Sequence, residues 1–290
     1  MTRRGALLFA AMCVIWGIPY LMIRVAVREL APVTMVFLRT AIAAVLLVPL
    51  AARRGELRPL IGGWRPLLAY TAIEVALPWW LLGHAETKLT SSLTGLLIAA
   101  VPLVGALIVT LSGERARLGL RRWVGLLIGI IGVGAIVGLD IGNIDLLALG
   151  EVALVAVCYA VGPLILARQM VGLPALGIVA ASLALSAVFY APLAAANWPA
   201  AFPSAHVVES VVGLAVLCSA AAFLIFFALI REVGPLRATV ITYVNPAVAA
   251  VLGVTLLSEP LTAGMVIGFA LVLAGSILAT GGTPEAVAEP

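Results

Sequence analysis

Charge is scarce in this sequence. Of its 290 residues, 10% are charged and 64% are apolar, against about 25% and about 45–50% in an ordinary globular chain. So few charges cannot cover a water-exposed surface. This excludes the one or two soluble domains that length alone would suggest. Lysine occurs once, at Lys88, and the arginines fall in short breaks between apolar runs. A net charge of +4 spread in that way makes no basic domain, so nucleic acid is excluded as a partner. The two histidines, His84 and His206, stand apart from any HExxH or other ligand cluster, and no metal or other cofactor is expected. Cys13, Cys158 and Cys218 each lie alone inside an apolar run, which gives neither a disulfide framework nor zinc spacing. There is no Walker A glycine loop, so ATP does not drive this protein directly. With no GxSxG, no paired aspartates in neighbouring apolar runs and no mid-run histidine, an intramembrane enzyme is disfavoured.

What the chain does have is long apolar runs. Crossing about 30 Å of hydrocarbon takes about 20 mostly apolar residues. Ten such windows occur, at roughly 6–24, 33–51, 66–84, 90–111, 121–139, 146–167, 174–196, 209–230, 237–257 and 262–281, numbered here spans 1 to 10. The connections are too short to hide an extramembrane domain, and 283–290 reads as a disordered tail. Arg3 and Arg4 followed by an apolar stretch resemble a signal peptide. That stretch is long, however, and carries Trp16 and Pro19, so it reads as an uncleaved first span. With the N-terminus in the cytoplasm, 13 arginines face the cytoplasm, and Arg24, Arg28 and Lys88 face outward. That bias puts both termini in the cytoplasm, and a bacterial-type inner membrane is the expected location.

The halves resemble each other at an offset of about 142–145 residues. Cys13 to Gly17 answers Cys158 to Gly162, Pro32 and Pro49 answer Pro174 and Pro192, Pro102 answers Pro246, Glu114 answers Glu259, and Gly125 and Gly132 answer Gly268 and Gly275. The expected division is 1–143 and 144–282. Because each half has five spans, the second enters from the opposite face. The expected fold is therefore all-α, ten transmembrane helices in two inverted five-helix repeats around a central cavity, an arrangement known in secondary transporters.

Several short motifs carry a family resemblance: Trp16-Gly17, Pro32 with Phe37-Leu38-Arg39, Pro78-Trp79-Trp80, Val101-Pro102-Leu103 with Gly113-Glu114-Arg115, and Asn245-Pro246 with Ser258-Glu259-Pro260-Leu261. In this order, over almost the whole chain, they resemble the drug/metabolite transporter superfamily, in its EamA-type branch. The resemblance implies movement of small metabolites, often outward, through a cavity lined mainly by spans 1, 3, 4, 6, 8 and 9, and it specifies no substrate. The leading expectation is export of amino acids or similar small metabolites by alternating access. Other metabolites or drugs are the alternative cargo, and a lipid scramblase is the alternative class. The expected partners are a small-molecule substrate and membrane lipids, with protons as a candidate coupling ion and a monomer or homodimer as the assembly.

Glu74 falls near the middle of span 3, where an ionised carboxylate is costly. It must face a cavity, pair or hold a proton. It is therefore either a coupling or ammonium site or half of a structural pair, with Arg39 in span 2 as the candidate partner. Arg39 itself reads as a snorkelling structural arginine or as a contact for a substrate carboxylate. Trp16 and Tyr20, four apart and so on one face, line the cavity or simply pack, as does Tyr159 in span 6. Trp79, Trp80 and His84 form an interfacial aromatic belt or a wall above the site. Thr239, Tyr243 and Asn245 make either a cavity face or helix-to-helix hydrogen bonds, and Asn245 is placed to satisfy a carbonyl freed by Pro246. Pro19, Pro78, Pro102, Pro163 and Pro246 are expected to kink their helices. Thr90 to Thr94 read as a helix start, Glu114 and Glu259 as helix-end caps. The small-xxx-small glycines of spans 5 and 10 read as close packing, within the chain or between chains.

Overall fold

The structure, a computed structural model, describes residues 1–111, 120–138 and 145–280. The expectations for Gly113, Glu114, Arg115, Arg117, the junction of the halves and the tail at 283–290 lie outside these. The described residues fold into ten helices long and apolar enough to cross a membrane: Arg3–Ala26, Pro32–Arg53, Trp64–Ala85, Ser91–Leu111, Leu120–Gly138, Leu146–Gln169, Ala175–Ala196, Ala205–Val233, Thr239–Leu257 and Ala263–Thr280. These match the ten expected spans within a few residues. Span 8 departs most. It runs 29 residues, more than crossing requires, and contains a nine-residue π-helical segment, Gly213–Ala221.

The main helix contacts pair span 5 with 10, 2 with 7, 4 with 9, 3 with 6 and 1 with 8. Exchanging each span for the one five places away maps this set onto itself. Spans 5 and 10 approach so closely that a Cβ on Gly132 would meet backbone atoms of Gly268 and Val272, and one on Gly125 would meet backbone of Gly275 and Ala279. The glycines matched between the halves therefore pack against one another inside a single chain. Without side chains between them, the backbones gain dispersion contacts that lipid cannot offer.

Candidate functional site

Helix interruptions shape the interior. In span 1 the ladder breaks after Ile15: the Gly17 amide donates to the Val14 carbonyl at 3.0 Å, and Pro19, with no N–H, opens the next segment, Ile18–Ala26. Span 4 breaks at Ala99 and Ala100, just before Pro102. Span 9 begins as a 3₁₀ turn, Thr239–Tyr243, and becomes α-helical at Asn245-Pro246. In span 3, Pro78 follows a π-helical segment, Thr71–Ala76. Pro163 differs in lying inside a continuous helix, Leu146–Gln169, with no break beside it.

The two π segments occupy corresponding spans, 3 and 8, and each is tied across to the other half. In span 3, Thr71 Oγ1 donates to Ser182 Oγ of span 7 at 3.0 Å. In span 8, Ser219 Oγ accepts from Arg39 Nε of span 2 at 2.9 Å and donates to the Leu214 carbonyl at 2.8 Å. π turns recur at functional positions in helices. Nothing in residue type or period signals them, so sequence reading missed both, and Ser219 with them.

Around these segments the structure gathers Tyr20, Arg39, Glu74, Trp79 and Tyr159. Arg39 is 5% exposed, and its guanidinium carbon lies 3.5 Å from the Trp79 ring centroid. Stacking of this kind in a desolvated site contributes about 2 kcal/mol. Among the described residues, the bond to Ser219 is the single hydrogen bond of Arg39, leaving the terminal nitrogens uncommitted. Tyr20 and Trp79 share one buried apolar cluster, and Tyr159 packs against it. Glu74 sits in the π segment of span 3 with Oε2 buried and unpartnered. Its carboxyl rests on Gly162 of span 6, where a Cβ would overlap it. Arg39 and Glu74 therefore do not form the expected charge pair. The arginine is drawn to Trp79 and Ser219, and the carboxyl is turned to span 6.

The other expected cavity residues lie elsewhere. Trp16 packs on Phe223 and Phe226 of span 8, with ring centroids 5.9 and 4.7 Å away. Asn245 is buried, and its amide nitrogen donates to the Cys13 carbonyl at 2.9 Å and to the Ile241 carbonyl at 3.0 Å. It stitches the break in span 9 to the break in span 1, rather than serving the Thr242 carbonyl that Pro246 frees. Tyr243 pairs with Thr280 at 3.3 Å, at the N-terminal face of the bundle, and Thr239 lies one turn away at the same end. Trp80 stacks near His84, whose Nδ1 meets Glu151 of span 6 at 2.8 Å. Two apolar grooves, of about 330 and 570 Å³, are lined by residues such as Leu38, Phe202 and Val211 in one and Val48, Trp64 and Leu185 in the other. Both lack charged lining.

A second polar cluster lies at the face opposite the N-terminus. Glu259, in the turn between spans 9 and 10, caps the start of span 4. It accepts from the amides of Ser91 and Ser92 at 2.9 and 2.8 Å and from their hydroxyls, the shortest at 2.6 Å, as expected of an end cap. Partial burial pushes its carboxyl up, but the hydrogen bonds from Ser92 and Ser91 outweigh that and hold it below the usual carboxylate range. Gly253 leaves the room, since a Cβ there would meet Glu259 and both serines. Thr90 caps the same helix, accepting from Leu93 at 3.2 Å, so the expected helix start is present. Beside it, Glu86 is fully buried with both carboxyl oxygens unpartnered, and its carbonyl accepts from Arg24 of span 1. Sequence reading passed over Glu86 because it lies in a predicted loop two residues from Lys88, where a charge attracts no notice.

Ten apolar helices with a buried arginine, an unpartnered carboxyl and packed aromatic side chains among them define a polytopic membrane protein. The EamA-like transporter family matches the chain twice, over residues 3–138 and 146–281. The chain belongs to that family. It is 30% identical over 268 residues to YedA of Escherichia coli K12, an uncharacterized inner membrane transporter, covering 87% of this chain and 82% of that one. It is 26% identical over 280 residues to YvbV, an uncharacterized transporter of Bacillus subtilis, covering 93% and 89%. A solved structure 19% identical superposes over 97% of both chains with a TM-score of 0.67, a likeness of fold.

Proposed function

We propose that this chain is a secondary transporter that exports small zwitterionic metabolites, amino acids foremost, by alternating access across a bacterial inner membrane, with both termini in the cytoplasm. The observation that carries the reading is the central cluster. Arg39, held from behind by Ser219 and Trp79, keeps its terminal nitrogens free for a carboxylate. Glu74, unpartnered in the same cluster, suits an ammonium group or a proton. Tyr20, Trp79 and Tyr159 supply aromatic walls around both. The double family match and the contact pattern unchanged by exchanging halves support two inverted repeats. In such an arrangement, the paired π segments of spans 3 and 8 are the places where each half can rewind against its neighbour. The inner-membrane relative and the arginine bias support the location and orientation.

The test uses purified protein in liposomes with labelled amino acids, and labelled lipid as the control. Accelerated amino-acid equilibration is expected, with no acceleration of lipid. Arg39→Lys keeps the charge but loses the stacked plane and the Nε bond, and is expected to slow transport at least tenfold. Lipid movement without amino-acid movement would replace the reading with a scramblase. Glu74→Gln is expected to abolish uptake driven by a pH gradient, and an unchanged pH dependence removes the coupling role.

A further inference from the structure

The unexplained group in this fold is Glu86. It caps span 3 just beyond Ala85, it is completely enclosed, and among the described residues neither carboxyl oxygen has a hydrogen-bond partner. A carboxylate left bare in this way is far costlier than a neutral carboxylic acid. The charged and titratable groups that face it are few. Span 1 presents Arg24, which donates to the Glu86 carbonyl, and Tyr20 one turn deeper. The turn between spans 9 and 10 presents Glu259, whose negative charge is kept by Ser91 and Ser92 of span 4. On its own segment, His84 is turned to Glu151 of span 6 and Lys88 is exposed. Spans 1, 3, 4 and the 9–10 turn therefore meet at one point, and the group at its centre has no counter-charge on its carboxyl oxygens.

We infer that Glu86 is a second proton-binding site, separate from Glu74, and that its proton latches shut the end of the bundle opposite the N-terminus. Burial pushes the Glu86 carboxyl well above the usual range, and Glu259 adds to this while Arg24 opposes it. If the end opens, water reaches the group and its affinity for the proton returns to that of an ordinary glutamate, about 4.3. The closed form thus binds one proton more than the open form. Acid favours closure, and raising the pH favours opening by up to tenfold per unit while the group titrates. The latch rests on the transporter reading for its purpose alone; its chemistry can be tested without any substrate.

The experiment uses the full chain in liposomes with Cys13, Cys158 and Cys218 replaced by alanine and a reporter cysteine at Thr94, which is fully enclosed one turn inside the cap of span 4. A membrane-impermeant maleimide reports opening. Its rate is corrected for thiol ionisation against a cysteine at the exposed Thr87. The corrected rate is expected to rise with pH in the parent and to stay low and flat in Glu86→Gln, which imitates the protonated latch. A rise in Glu86→Gln equal to the parent's overturns the inference, as does a flat parent. If Glu86→Gln fails to fold, the parent is compared with Glu74→Gln: a rise that persists there supports the latch at Glu86, and a rise lost there overturns it. The pH-dependent labelling without any transport would sink the transporter reading and leave the latch standing.

Discussion

Spans 5 and 10 and spans 3 and 8 are corresponding pairs in the two halves, yet they are built in opposite ways. The first pair meets backbone to backbone through Gly125, Gly132, Gly268 and Gly275, with regular α-helix throughout both described spans. The second pair is wound into π turns, bound across the halves by Thr71–Ser182 and Arg39–Ser219, and carries the unpartnered Glu74. Close apolar packing has one good arrangement, and leaving it forfeits many small contacts at once. A π turn departs from the ordinary α-helical ladder and recurs at functional positions. The expectation from this contrast is a rigid element at spans 5 and 10 and an adaptable one at spans 3 and 8.

The largest effect is expected where that contrast is broken at its rigid side. Gly132→Leu forces a side chain into the backbone of span 10 and should cost more than the about 1–3 kcal/mol of ordinary overpacking, seen as loss of folded protein in detergent melts. Gly134→Leu, two residues on and facing open space, should stay within about 0.5 kcal/mol of the parent. Equal effects at the two positions would remove the rigid role of this interface.

At the adaptable side the expected effect is on activity. Gly162→Ala displaces the Glu74 carboxyl from span 6, and transport in liposomes should fall at least tenfold while the melting temperature moves by only a few degrees. Combining it with Glu74→Ala should recover packing, because the overlapping atoms are then absent. Additive losses in the double variant would show that the two residues do not touch in the working protein.

The smallest effect belongs to the cap at the opposite face. Glu259 is held below the usual carboxylate range, so its contribution is fully present above the unfolded value, about 4.3. It is lost as the pH falls through the lower folded value. Melts of the parent should therefore weaken in acid below pH about 4. Glu259→Gln should lack that acid limb and cost about 0.5–2 kcal/mol near neutrality, the usual range for a lost cap.

Much of the fold was legible because each span announces itself by composition. Leu146 to Gln169, for instance, needs only its run of apolar residues to be recognised. The site was legible in part. Tyr20, Arg39, Glu74, Trp79 and Tyr159 stand out by type and depth, and they do assemble. Thr239, Tyr243 and Asn245 stand out equally and do not join them, because the break in span 9 sends Tyr243 toward Thr280 and Asn245 toward Cys13. Proline likewise marks where a break can occur but not whether it does. Pro19 and Pro246 follow breaks, whereas span 6 continues through Pro163.

The one-dimensional pattern alone determined the number of helices, their approximate ends and the duplication, because hydrocarbon accepts only long apolar segments whose backbone is satisfied internally. Only the tertiary structure decided which polar groups meet. It turned Arg39 to Trp79 and away from Glu74, wound spans 3 and 8 into π turns, and enclosed Glu86 with no partner for its carboxyl. The reason is that a buried polar side chain answers to whatever donor or acceptor the neighbouring helix brings within about 3 Å. That neighbour is set by packing between segments far apart in the chain.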